Sequence, residues 1–230
     1  MIGTLINTSL ILLGTLLGLL FRKGIPERVN HALMNAMGLA TVLIGMSGAL
    51  KSQDTLCVIL CMGLGAVIGS AINIEEKLNR FGQLIERKLS SPASQEGGIA
   101  RGFVTATLVY CVGAMAIVGS IDSSIRGDHS TLIAKGIIDG LTAIMFTSTL
   151  GIGVGLSAFS VLIYQGTISL LAGFVAPVLT DTMITEMGAV GGLLIAAIGT
   201  NMIREKQIPV GNLLPAIFLP LIYLPVAALF

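Results

Sequence analysis

Gln165 and Asp139 are the residues of this chain best placed to do chemistry where apolar surroundings ought to reject them. Both stand in the stretch Gly136 to Pro177, whose single charge is Asp139. A buried amide or carboxylate without a partner is costly in hydrocarbon, so each must face protein, water or a solute. An acid inside an apolar span is a functional candidate by default, and Asp139 is expected to be the only acid placed so deep. Lys135 lies four residues earlier, where an ion pair along one helix face is the competing explanation. Tyr110, Asn201, Asn212, Asp122 and Asn73 complete the candidates for a substrate or ion path. For each of these five the simpler role is a helix cap or a hydrogen bond between helices. Thr147, Ser148 and Thr149 could hold a small solute through hydroxyls and carbonyls, or could satisfy the turn that follows them.

Catalytic and metal-binding patterns are missing from the sequence. Cys57, Cys61 and Cys111 lie within apolar segments, where small buried residues are the better reading. His31 and His129 fall at segment edges, on opposite sides of the membrane in the topology below, and do not form one site. There is no His-Glu-x-x-His, no Gly-x-Ser-x-Gly and no phosphate-binding loop. The expectation is a protein that is no enzyme, carries no cofactor or bound metal, and hydrolyses no nucleotide within this chain.

The elements that must position the polar residues are eight apolar segments: Ile2 to Phe21, Ala32 to Leu50, Thr55 to Asn73, Gly102 to Ile121, Leu132 to Leu150, Leu156 to Ala176, Met183 to Ile203 and Val210 to Leu229. Each approaches the roughly 20 residues that a transmembrane helix needs. Mean hydropathy is +0.94. Charged residues make up 11% of the chain, against roughly 25% in soluble domains, which leaves no room for a separate soluble domain. The fold class expected is an all-α polytopic membrane bundle, one transmembrane domain over residues 1–230. The lipid bilayer is its main partner, and a net charge of +1 points to no nucleic acid.

Basic residues bias short loops toward the cytoplasm. With the N-terminus outside, 10 of the 13 Lys and Arg residues fall in inner loops, so both termini are expected to be extracytoplasmic. Met1 runs straight into the first span with no basic start, and that segment is expected to be retained. Ile74, Leu78, Phe81, Ile85 and Leu89 recur at helical spacing among charges. Residues 74–101 therefore read as a cytoplasmic amphipathic helix and linker joining two halves. The turn from Thr149 to Gly155 carries no charge. Irregular backbone at membrane depth is tolerated only against protein or a wet cavity, and residues 137–176 could be two full spans or re-entrant segments.

Two echoes hint at internal repeats. Cys61 to Ser70 resembles Cys111 to Ser120, and Met37-Gly38 with Ile44-Gly45 resembles Met187-Gly188 with Ile198-Gly199 after a gap of four. In the topology above each pair of segments runs oppositely, as in the inverted repeats of transporters. Gly14 and Gly18, Gly65 and Gly69, Gly136 and Gly140, and Gly151 and Gly155 are small-xxx-small pairs, suited to close helix packing or to a homo-oligomer. Pro215, Pro220 and Pro225 should kink or break the last span. With Gly151, Gly153 and Gly155, Pro215 and Pro220 are the gating candidates.

Tyr110-Cys-Val-Gly-Ala-Met-Ala-Ile-Val-Gly-Ser-Ile-Asp122, Lys135-Gly-Ile-Ile-Asp-Gly140, Tyr164-Gln-Gly166 and Asn212-Leu-Leu-Pro-Ala216 resemble the bacterial YdfK/YqgA family of integral membrane proteins, a domain-of-unknown-function family. The resemblance spans nearly the whole chain. It implies a bacterial inner-membrane location and a membrane or transport protein with no assigned substrate. Family members often have Pro where this chain has Ala114, which leaves a kink there open. Two functional readings remain: a channel or secondary transporter for a small solute or ion, and a non-transporting scaffold or accessory subunit whose polar groups only hold helices together.

Overall fold

In hydrocarbon no water is at hand to satisfy the backbone, and an α-helix pairs its N–H and C=O groups within itself. The chain accordingly folds as an all-α polytopic membrane bundle, with no strand among the described residues. The structure, a computed structural model, describes residues 1–22, 27–77, 80, 98–112, 114–204 and 207–228. Its elements are α1 (Ile2–Arg22), α2 (Glu27–Ala49), α3 (Thr55–Ile72), α4 (Gly98–Cys111), α5 (Ala114–Ile125), α6 (Ser130–Leu150), α7 (Gly153–Leu170), α8 (Ala172–Val175), α9 (Asp181–Ile203), a 3-10 helix (Val210–Phe218) and α10 (Pro220–Ala227).

Seven stretches among the described residues are long and apolar enough to span, and α4 with α5, bent by 59°, makes an eighth if counted as one broken span. Among the described residues the eight expected segments are thus helical, with interruptions in the fourth, the eighth and the sixth, which breaks at Leu171 between α7 and α8. The fourth bends between Cys111 and Met115, a stretch with no proline. The eighth changes from 3-10 to α between Phe218 and Pro220. Residues 137–176 contribute to two full-length helices, α6 and α7, separated by two residues. Gly151 makes that tight join possible, at φ 81° with its N–H on the Thr147 carbonyl, a conformation that side-chain-bearing residues adopt only with strain. Of the expected amphipathic segment, residues 74–77 continue helically after Asn73. Residues 78–79 and 81–97 lie outside the described residues.

The helices group into two compact units. The first comprises residues 1–34, 78–111 and 115–175, and its spine is the pair α1 and α6. Gly14 sits against Gly140 and Ala143, Gly18 against Ile144 and Thr147, and Gly136 against Asn7 and Leu10. The partner numbers rise together, so the two helices run parallel, their backbones brought close by glycine because van der Waals packing must do what the hydrophobic effect does in water. A Cβ on Gly14 would overlap the Gly140 carbonyl. Gly14→Val is expected to cost about 1–3 kcal/mol through overpacking, measured as a lower unfolding temperature in detergent; wild-type stability would show that the seam is slack. α7 lies antiparallel to α1, with Thr15 against Gly155 near one end and Thr4 bonded to Ser169 near the other. α4 and α5 run parallel to α7, since Ile99 meets Gly153 and Ser120 meets Ser169.

The second unit comprises residues 35–77, 112–114 and 176–230. Its seam joins α2 to α9: Gly38 meets Gly199, and Gly45 meets Gly192 and Ala196. Here one number falls as the other rises, so the helices are antiparallel. α2 and α9 are both 23 residues long and start 154 positions apart (27 to 181). At that spacing Gly38 corresponds to Gly192 and Gly45 to Gly199 with no gap, and the contact of Gly38 with Gly199 becomes that of Gly192 with Gly45. The seam is its own inverse. The sequence echo had the right helices, with Gly38 set four residues off its counterpart. The echo between Cys61–Ser70 and Cys111–Ser120 falls on α3 and, from residue 114 onward, on α5, whose residues from 115 belong to the other unit. α3 lies antiparallel to the last span, Gly65 against Ala216 and Gly69 against Asn212. Pro220 offers no N–H to the Ala216 carbonyl, which instead accepts from Leu219 at 3.2 Å, an i+3 bond of the kind that tightens a helix to 3-10 geometry.

Glu186 of α9 corrects one expectation, because Asp139 is not the only deeply buried acid. Glu186 is fully buried and accepts from the Ser52 hydroxyl at 2.7 Å and from the N–H groups of Gln53 and Asp54 at 2.7 and 3.2 Å. It thereby fixes the turn that leads into α3, whose N-cap is Asp54. Glu186→Ala strips partners from three donors, each worth about 1–3 kcal/mol if left unmet in a buried place. The expected result is a lower unfolding temperature and faster hydrogen exchange at residues 52–57. Unchanged exchange there would remove Glu186 from this role.

Candidate functional site

Within the first unit the interior faces of α1, α4, α6 and α7 are polar at three successive levels. At the end nearest the start of α1, the Thr4 and Ser169 hydroxyls are 3.5 Å apart, and Ser169 donates to the Ser120 carbonyl at 3.3 Å. One turn further along, the Asn7 amide nitrogen donates to the Gln165 carbonyl oxygen at 3.3 Å. Lys135 pairs with Asp139 at this level, the Asn7 amide lies beside the Asp139 carboxyl, and the Lys135 ammonium stands 6.0 Å from the centre of the Tyr110 ring. Phe146 packs against the same ring, tilted by 35° with 6.5 Å between centres. The third level holds Thr15 and Thr147, with Thr107 on α4 one turn before Tyr110. From Thr4 to Thr15 the column rises about 16 Å at ~1.5 Å per residue, roughly half the thickness of a bilayer's hydrocarbon core.

These groups are not all satisfied. Among the described residues, six buried side-chain polar atoms have no hydrogen-bond partner: Asn7 Oδ1, Thr15 Oγ1, Thr107 Oγ1, Tyr110 OH, Thr147 Oγ1 and Gln165 Nε2. All six belong to the first unit. The two facing amides exchange one N–H and one oxygen, which leaves an acceptor on Asn7 and a donor on Gln165. The Tyr110 hydroxyl faces Thr142, whose own hydroxyl is already given to the carbonyls of Ile138 and Asp139. Most buried polar groups are paired, so six exceptions on four facing helices mark a place able to bind something polar.

The structure brings together Asp139, Gln165 and Tyr110 from the sequence candidates. It also shows the competing explanation for Asp139, since the pair with Lys135 forms. Asn7 was missed, although an Asn at the seventh residue of an apolar segment was the available signal. The remaining candidates serve element ends. Asp122 pairs with exposed Arg126 at 3.1 Å. Asn73 ends α3 in a left-handed conformation at φ 54° and bonds Glu76. Asn212 accepts from the Glu75 N–H at 2.9 Å, and Glu75 accepts in turn from Gly211. Asn201 exchanges two hydrogen bonds of 2.8 Å with Ile208. Ser148 and Thr149 bond carbonyls of their own helix, so only Thr147 of that trio points inward unpaired. Of the gating candidates, Gly153 packs on the Ile99 backbone and Gly155 on Thr15, Pro215 lies inside the 3-10 helix and Pro220 starts α10. Outside the spans, Asp128 accepts from the Ser130 N–H at 2.9 Å, and its hydrogen bonds to Ser130 hold its carboxyl below the usual carboxylate range.

Comparison with known proteins agrees with the resemblance read from the motifs. The family model described as "Protein of unknown function (DUF554)" matches residues 2–224. The chain is 32% identical over 224 residues to the "Uncharacterized membrane protein YdfK" of Bacillus subtilis (strain 168), covering 96% of this chain and 94% of that one. It is 33% identical over 222 residues to the "Uncharacterized protein YqgA" of Escherichia coli (strain K12), covering 95% and 94%. No solved structure matches. A match over nearly its full length, with two relatives at this identity, makes the chain a member of the DUF554 family of membrane proteins.

Proposed function

We propose that this protein is a channel or secondary transporter that carries a small solute or ion across the bacterial inner membrane, with the polar column of the first unit as its path. The observation that supports this reading is the set of six unpartnered polar atoms on α1, α4, α6 and α7. Each would cost about 1–3 kcal/mol if nothing polar ever met it, and a wet or solute-bearing path meets them at several levels. Broken helices beside a path are a recurring arrangement in transporters, and the bend between α4 and α5 follows directly after Tyr110. Gly151 to Gly155 form the hinge proposed for this unit, while Pro215 and Pro220 form a separate hinge in the second. In this reading both termini lie outside the cytoplasm, and because Gly14, Gly18, Gly65, Gly69, Gly136 and Gly140 pack within the chain, a homo-oligomer would use other helix faces. No catalytic role is assigned.

The scaffold reading draws on the hydrogen bonds of Asn7 with Gln165 and of Thr4 with Ser169, which clasp α1 to α7. Purified protein in liposomes separates the two readings. Saturable uptake or conductance for some member of a broad ion and metabolite panel is expected, and folded protein that moves nothing on that panel favours the scaffold.

A further inference from the structure

The Lys135 ammonium is held by the Asp139 carboxylate at one side and the face of the Tyr110 ring at the other. That is a setting in which a small cation is bound by charge and by the ring quadrupole together. Beside the carboxylate lies the amide of Asn7, a fully buried side chain whose Oδ1 has no partner. The ion pair runs Lys to Asp in chain order along α6, the weaker of the two orders for a helix, since an acid before a base complements the helix dipole better. Lys side chains also lean toward the start of their helix, away from Asp139. The pair is therefore poorly explained as a helix stabiliser. It is better explained as a cation site filled from within the chain, with a long flexible stem that lets the charge withdraw.

We propose that Asp139, the Tyr110 ring face and Asn7 Oδ1 form a binding site for a small monovalent cation, ammonium-type or alkali, for which the Lys135 ammonium is the built-in competitor. This names the ligand class of the path proposed above and rests on that reading. An incoming cation takes the carboxylate, Lys135 swings toward the start of α6, and the layer keeps its net charge. The exchange of one cation for another makes occupancy reversible, as a path requires.

The test uses the purified full chain with sodium, potassium and methylammonium chloride, and N-methylglucamine chloride as an oversized control, at constant ionic strength. Lys135→Met removes the competitor and leaves Asp139. The expected result is thermal stabilisation of this variant by millimolar methylammonium or alkali cation, at concentrations about tenfold or more below those that affect wild type. Asp139→Asn and the double variant are expected to show no response. Should Lys135→Met fail to accumulate, Lys135→Gln carries the same comparison. Methylammonium against sodium and potassium decides which kind of cation the site takes. Equal effects of all four salts on the Lys135 variants, or an Asp139→Asn variant that responds as they do, would overturn the proposal. Liposome flux keeps the two readings apart. Solute flux together with no specific cation stabilisation of the Lys135 variants refutes the cation site and leaves the path, whereas specific cation stabilisation of a protein that conducts nothing leaves the site and refutes the path.

Discussion

Gln165→Leu is expected to reduce flux in proteoliposomes about tenfold or more while the protein still folds, elutes as wild type and keeps its helical content. The substitution is close in volume, so the contact of α7 with α1 keeps its shape. What it removes is the amide that faces Asn7 at 3.3 Å and the unpartnered Nε2 beside it. A barrier increase of ~1.4 kcal/mol is tenfold in rate, and losing a buried donor and acceptor from the middle of a path is worth at least that much. The cost to folding is one neutral hydrogen bond and an unmet Asn7 amide, about 1–3 kcal/mol against a typical stability of ~5–15. Flux at the wild-type level would place the path elsewhere. Loss of stability without a specific loss of flux would return Gln165 to the clasp between α1 and α7.

Lys135→Met is expected to be the most destabilising single change in the first unit. Breaking one side of a buried ion pair leaves the other charge uncompensated and typically costs ~3–5 kcal/mol, and both side chains here are buried. The double variant Lys135→Met/Asp139→Asn is expected to recover most of that loss, because an apolar or neutral pair of similar volume is often as stable as the ions it replaces. Thermal or denaturant unfolding of all variants in one detergent gives the cycle. Equal stability of Lys135→Met and wild type would mean that Asp139 is not left as an uncompensated buried charge when its partner is removed.

How much of this was legible in the sequence depended on distance along the chain. Apolar segments near the length of a bilayer span announce themselves, because spanning helices must be long, apolar and internally hydrogen-bonded. The pair Lys135 and Asp139 was equally visible, since a spacing of four is a local fact of helix geometry. Partnerships across the chain were not. Nothing near Gln165 indicates that Asn7, 158 positions away, will face it, because in a membrane both faces of a helix are apolar and periodicity loses its power to say which side is buried. Glu186 was overlooked for the same reason. It sits among apolar residues, and its three donors arrive from the turn at residues 52–54. The glycine seam was half visible. Gly38 and Gly45 were matched to the right helix, but the gapless register of 154 emerges only when the contacts of Gly192 and Gly199 are known.

That self-inverse seam has a consequence for sidedness. A helix pair that reads the same after being turned end over end has no intrinsic top or bottom, so the glycine framework of α2 and α9 does not by itself tell one face of the membrane from the other. Any difference between its two ends has to come from residues that spoil the likeness. Glu186 is one of them, since the same register assigns Ala32 to its counterpart position. The polarity of this helix pair is written in a few such exceptions, laid over a glycine seam that is indifferent to it.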